Sequence, residues 1–155
     1  MILYYDGKND KVTKVKPYFD VDYLDTENKY FDQNKRNEIK ESIINILSDE
    51  FKKPDIIYSE FHRLKGNGFK YSFHFYIDNY VTTPRDIGAF LESLENNKWN
   101  LDKSTYKCYG SFRFSMSKKD ETNNFYPILS NPYRIQDYII TNVKEDTKIY
   151  NFEST

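Results

Sequence analysis

Cysteine and histidine are scarce in this chain: Cys108 is the one cysteine, and His62 and His74 are the two histidines. An internal disulfide is therefore excluded, and a structural Cys/His zinc site lacks its ligands, so no zinc is expected. Five glycines and five prolines among 155 residues form no linker, and no internal repeat is visible. No apolar run reaches the roughly 18 residues of a membrane span, and the start lacks the charged-then-apolar pattern of a secretory signal. The expectation is a soluble, intracellular protein with no membrane contact. Charge of one sign is missing too. With 23 basic and 24 acidic side chains and a formal charge of -1, no diffuse positive field attracts nucleic acid, and any such contact must be a local patch.

What the chain has is aromatic residues, 15 Tyr and 12 Phe, recurring at ordered spacings rather than in tracts. This supports one domain with a real core, residues 1–143, followed by a polar tail at 144–155. Ile2 to Tyr5 and Val15 to Leu24 read as strands. Asn34 is the expected cap of a helix whose apolar stripe, Ile39, Ile43, Ile46 and Leu47, ends near Phe51. Asp55 to Arg63 and Phe69 to Asp78 read as a hairpin across the turn Lys65-Gly66-Asn67-Gly68. In its second strand, Tyr71, Phe73, Phe75 and Ile77 share one face, and Lys70, Ser72, His74 and Asp78 the other. Thr83-Pro84-Arg85-Asp86 is a helix start, with Ile87, Phe90, Leu91 and Leu94 as its buried stripe. Thr105 to Ser115 reads as strand pieces broken at Gly110. The order β, β, α, β, β, α, β predicts an α+β fold, an antiparallel sheet with helices on one face and the other face open.

Three clusters could carry chemistry on that open face. In Asp20-Val21-Asp22, two carboxylates two apart in a strand point the same way while Phe19, Val21 and Tyr23 point to the core. Such a pair repels itself unless a hard divalent cation is shared, although taken alone it also fits a solvated strand face. Lys70, Ser72 and His74 line up an ammonium, a hydroxyl and an imidazole, a set suited to an anion. Asp102, then Tyr106, Phe112-Arg113 and the pair Lys118-Lys119, add a carboxylate at a strand entrance, a guanidinium and two ammonium groups. Taken singly, Asp102 also fits a loop residue and the lysine pair a solvated turn.

In this order the motifs resemble those of the archaeo-eukaryotic primase superfamily, within it the PrimPol-like and large-DNA-virus helicase-primase branch. Asp20-Val21-Asp22 is similar to the first motif, whose acids bind metal. Lys70-x-Ser72-x-His74 is similar to the second, whose histidine touches the phosphates of the incoming nucleotide. Asp102 with Tyr106, Phe112-Arg113 and Lys118 resembles the third, with Thr105 where many relatives carry Val. The resemblance spans residues 17 to 119, and Tyr126 to Leu129 and Asp137 to Thr141 extend it less specifically.

The resemblance implies an RRM-like catalytic core for DNA primase or primase-polymerase chemistry, with Asp20, Asp22 and Asp102 holding two Mg2+ or Mn2+ ions. Lys70, Ser72, His74, Arg113 and Lys118 would bind the nucleotide phosphates. It further implies a single-stranded DNA template, an NTP or dNTP substrate, and a replicative helicase or scaffold as partner, in a host cytoplasm or viral replication site. The alternative is a non-catalytic RRM-like module binding single-stranded nucleic acid, or an inactive primase relic. An RNA-recognition sheet would present its aromatics on the open face, where this alternation puts polar groups. A metal nuclease ranks third, because it does not explain the Lys-Ser-His row.

Overall fold

In the computed structural model, residues 2–6, 14–95, 97–102, 109–113, 128–129, 135–138, 140 and 143–152 are described. The elements in chain order are β1 (Ile2–Asp6), β2 (Tyr18–Asp25), α1 (Gln33–Glu50), β3 (Ile56–Glu60), β4 (Arg63–Lys65), β5 (Gly68–Ile77), β6 (Tyr80–Val81), α2 (Pro84–Ser93), β7 (Tyr109–Arg113), β8 (Ile128–Leu129), a 3-10 turn (Ile135–Tyr138) and β9 (Lys148–Ile149). The fold is α+β. Its central sheet runs β2-β5-β3-β8, all antiparallel, with β4 pairing the start of β5. Because β5 lies antiparallel between β2 and β3, the unit β2-α1-β3 is a split β-α-β crossover. Leu101 forms an antiparallel bridge to Val21, so residues 100–102 flank β2 on its other edge and run parallel to β5. That makes β5-α2-Leu101 a second split unit interleaved with the first.

Burial follows the strand period. Phe19 and Val21 on β2 and Tyr71, Phe73 and Phe75 on β5 are buried, and they form the face on which the helices pack. Helix α1 contributes Ile39, Ile43 and Leu47, spaced four apart, and α2 contributes Ile87, Phe90 and Leu91. The Phe19 ring meets Phe51 at 6.2 Å and Phe90 at 6.1 Å, both edge-on, so one strand residue joins the C-terminal end of α1 to the body of α2.

The cap of α1 differs from the expectation. Asp32, not Asn34, is the N-cap: its carboxylate accepts from the Asn34 N–H at 2.9 Å. Either side chain can cap. What selects Asp32 is its own N–H, which donates to the Tyr71 hydroxyl at 2.9 Å and fixes the helix start on β5. For α2 the expected start holds, with Thr83 accepting from the Asp86 N–H and donating its hydroxyl to the Asp86 carboxylate at 3.0 Å.

Two further differences bear on the site. The segment read as one strand from Asp55 to Arg63 is two strands, interrupted at Phe61 and His62. The strand expected from Val15 begins at Tyr18, because Val15 pairs instead with Thr82 and Pro17 intervenes. Within the polar stretch 144–155, Lys148–Ile149 pairs in parallel with β6, and Tyr150 is buried with its ring 4.3 Å from Phe51. No helix among the described residues is long and apolar enough to cross a membrane.

Candidate functional site

The face of the sheet away from the helices is open only over part of its length. At one end Tyr18, Tyr76 and Ile57 are fully buried, and Tyr138 of the 3-10 turn sets its ring edge-on to Tyr76 at 5.5 Å. Lys16, itself fully buried, holds that cover down: its ammonium reaches the Asp78 carboxylate at 2.7 Å and the Asp137 carbonyl at 2.8 Å. Toward the other end the same face carries Asp20, Asp22, Lys70, Ser72 and His74, all part-exposed.

Strand register brings these residues together. In the β2–β5 pair Asp20 stands opposite His74 and Asp22 opposite Ser72. The Ser72 hydroxyl donates to Asp22 Oδ1 at 2.7 Å, and Lys70 Nζ lies 3.5 Å from the same oxygen. His74 Nε2 is 3.6 Å from Asp20 Oδ1, an ion-pair separation rather than a hydrogen bond. Asp102 joins through the backbone, its N–H donating to the Asp20 carbonyl at 2.8 Å, while the Asn100 amide donates to the Asp22 carbonyl at 2.9 Å. Leu101 between them is buried beside Val21, so pleat alternation assigns Asp102 to the face of Asp20 and Asp22. Arg113 ends β7 and pairs with Ile2 in a two-stranded sheet of its own. Lys118, like Thr105 and Tyr106, lies outside the described residues.

Burial pushes the Lys70 ammonium below the ordinary lysine range; the Asp22 carboxylate opposes that shift, and the nearby Arg63 and Lys65 add to it. Among the described residues no three His, Cys, Asp or Glu side chains converge as a ready-made ligand set. Asp22 is instead engaged by a hydroxyl and an ammonium. The donor chemistry nonetheless suits a hard cation, since Mg2+ needs only one or two carboxylates and takes its other positions from water and substrate phosphate.

Sequence reasoning missed the layer beneath these groups. The Ser72 N–H donates to His62 Nδ1 at 3.2 Å, so that nitrogen is unprotonated and His62 Nε2–H donates to Glu60 at 2.8 Å. Glu60 in turn takes both Nε, at 2.8 Å, and a terminal nitrogen of Arg36 from α1. Burial pushes the Glu60 carboxyl up, but the hydrogen bonds from His62 and Arg36 and their charge outweigh it and hold the group at about 2. Arg36, Glu60 and His62 thus brace the backbone of Ser72 from the helix side while its hydroxyl faces Asp22. No local signal marked them, because Arg36 and Glu60 are 24 residues apart. No protein-family model matches the chain, and no curated protein matches it either.

Proposed function

We propose that this chain is the catalytic core of a DNA primase or primase-polymerase, a template-directed nucleotidyltransferase acting in DNA replication. The observation that carries the reading is the register of β2 against β5. It sets two carboxylates, Asp20 and Asp22, directly opposite His74 and Ser72, with Lys70 beside them and Asp102 on the adjoining segment. A sheet face with acids on one strand and a cation, a hydroxyl and an imidazole on the next is suited to hold a nucleotide at both its reacting phosphate and its triphosphate tail.

Asp20, Asp22 and Asp102 are the residues that would hold Mg2+ or Mn2+, which when bound lower the barrier to in-line displacement at the α-phosphate by stabilising the attacking and leaving oxygens. The chain's own groups do the rest. Lys70 and His74 neutralise phosphate oxygens, and the Ser72 hydroxyl donates to a carboxylate or a phosphate oxygen. Arg36, Glu60 and His62 keep the Ser72 backbone from shifting as charge accumulates. Lys70 pairs with Asp22 in the free protein and would offer its ammonium to the phosphates of a nucleotide bound beside that carboxylate. Single-stranded DNA is the template in this reading, an NTP or dNTP the substrate, and a helicase or replication scaffold the partner.

Calorimetric titration of Mn2+ into the protein with a non-hydrolysable nucleotide tests the site. Saturable binding that weakens in Asp22→Asn is the expected result. Metal and nucleotide binding equal in wild type and variant would remove the basis for the reading and favour the non-catalytic nucleic-acid-binding module.

A further inference from the structure

We propose that the β4–β5 hairpin grips a single nucleic-acid strand laid across its edge, with backbone phosphates on Arg63 and Lys65 and bases against Leu64 and Phe31. Register divides the hairpin into two sides. Arg63 pairs with Lys70 and Lys65 with Gly68, so Arg63, Lys65 and Lys70 share the face that carries Asp22. Leu64 pairs with Phe69 and therefore lies on the opposite side. Of these three cations, Lys70 engages the Asp22 carboxylate. Among the described residues neither Arg63 nor Lys65 has a carboxylate partner, and the Arg63 guanidinium lies 5.1 Å from the Phe61 ring centre.

The second side is apolar and uncovered. Leu64 is 65% exposed, Phe31 48% and the adjoining Tyr30 68%. Phe31 is not loose: its ring sits 5.8 Å from Phe69 and 5.9 Å from His62, the latter stacked. A half-exposed ring held by Phe69 and His62, with the exposed Leu64 across the strand pair from Phe69, offers apolar surface to a flat group. Cations on one side of an edge strand and a ring on the other match a polymer that alternates anionic phosphate with flat, apolar bases, as a single strand does. A duplex would hide the bases, and a peptide would supply no regular anion. The inference rests on the nucleotidyl-transfer reading for the strand's role as template, and on the hairpin alone for the binding.

Fluorescence anisotropy of a labelled oligothymidylate, measured on the full chain without divalent metal or nucleotide, tests it. Arg63→Ala combined with Lys65→Ala should weaken binding and flatten the salt slope by about 1.4, from roughly 0.7 per phosphate contact. A charge-matched control, Lys52→Ala with Lys148→Ala on other elements, should bind as wild type. Phe31→Leu, which keeps the apolar packing but loses the flat ring, should weaken binding several-fold without changing the slope, its folding checked by thermal melting. Binding by the Arg63/Lys65 variant that equals the control, or by Phe31→Leu that equals wild type, would overturn the proposal. So would displacement of the oligonucleotide by inorganic triphosphate at matched ionic strength, because the cations would then belong to a nucleotide. The two readings fail separately. Oligonucleotide binding without nucleotide incorporation refutes the catalytic reading alone, and incorporation with unaltered binding in the Arg63/Lys65 variant refutes the grip alone.

Discussion

Replacing Glu60 by Gln removes a charge on which both the fold and the site depend. Glu60 and Arg36 are 9% and 15% exposed at their side chains, and the carboxylate also accepts from His62. With the Glu60 carboxyl at about 2 against an ordinary 4.5, linkage corresponds to roughly 3 kcal/mol, which solvent at the pair reduces to about 2 kcal/mol. Because the folded value is depressed, this stability is fully present above pH 4.5 and is lost as pH falls toward 2. Glu60→Gln also leaves the Arg36 guanidinium without a counter-charge, so the loss at pH 7 should be about 2 to 4 kcal/mol. In urea denaturation that moves the midpoint down by about 1 to 2 M. At pH 2 the wild-type carboxylate is itself half protonated, and the difference between the two proteins should shrink to less than half. Equal midpoints at pH 7, or a gap that persists undiminished at pH 2, would refute the assignment of this carboxylate as a buried counter-charge.

Other substitutions probe the cover, the hairpin and the site face. Asp78→Asn should cost about 3 to 5 kcal/mol by chemical denaturation, because Lys16, fully buried, loses its counter-charge and faces only neutral oxygens, the new amide and the Asp137 carbonyl, among the described residues. Gly68→Ala should destabilise by about 1 to 3 kcal/mol, since a Cβ there would stand 2.4 Å from the Asp25 carbonyl oxygen. Ser72→Ala should change the melting temperature little. It should lower nucleotide incorporation by roughly 10- to 100-fold, the worth of a hydrogen bond to a charged oxygen; an unchanged rate would remove Ser72 from the site.

Much of this fold was legible because local signals agreed with the tertiary result. In β5, strict alternation separated Tyr71, Phe73 and Phe75 from Lys70, Ser72 and His74, and the structure buries the first set and leaves the second part-exposed. The start of α2 was readable because Thr83, Pro84 and Asp86 each act within four residues of one another. The break after β3 was not readable, because aromatic density continues straight through it. Its cause is tertiary: Phe61 N–H donates to the Ser72 carbonyl at 2.9 Å while His62 accepts from the Ser72 N–H. One residue of β5 thereby satisfies both its backbone groups with a kinked partner. The same limit hid Lys16, whose partners lie 62 and 121 residues away. Asp20, Asp22, Ser72 and His74 were found from strand period, whereas Glu60, His62 and Arg63 needed the pairing of strands that the sequence does not spell out.

The central claim is that Asp20, Asp22 and their neighbours on this sheet face carry nucleotidyl transfer. Incorporation of a radiolabelled nucleotide on a primed and an unprimed single-stranded template, in Mg2+ and in Mn2+, tests it most directly. Metal-dependent, template-directed product from wild type is expected, with a loss of at least about 100-fold in Asp22→Asn. That variant keeps the amide oxygen facing the Ser72 hydroxyl and should melt close to wild type. Template-directed product retained in a folded Asp22→Asn protein, or none from wild type in either metal, would contradict the account.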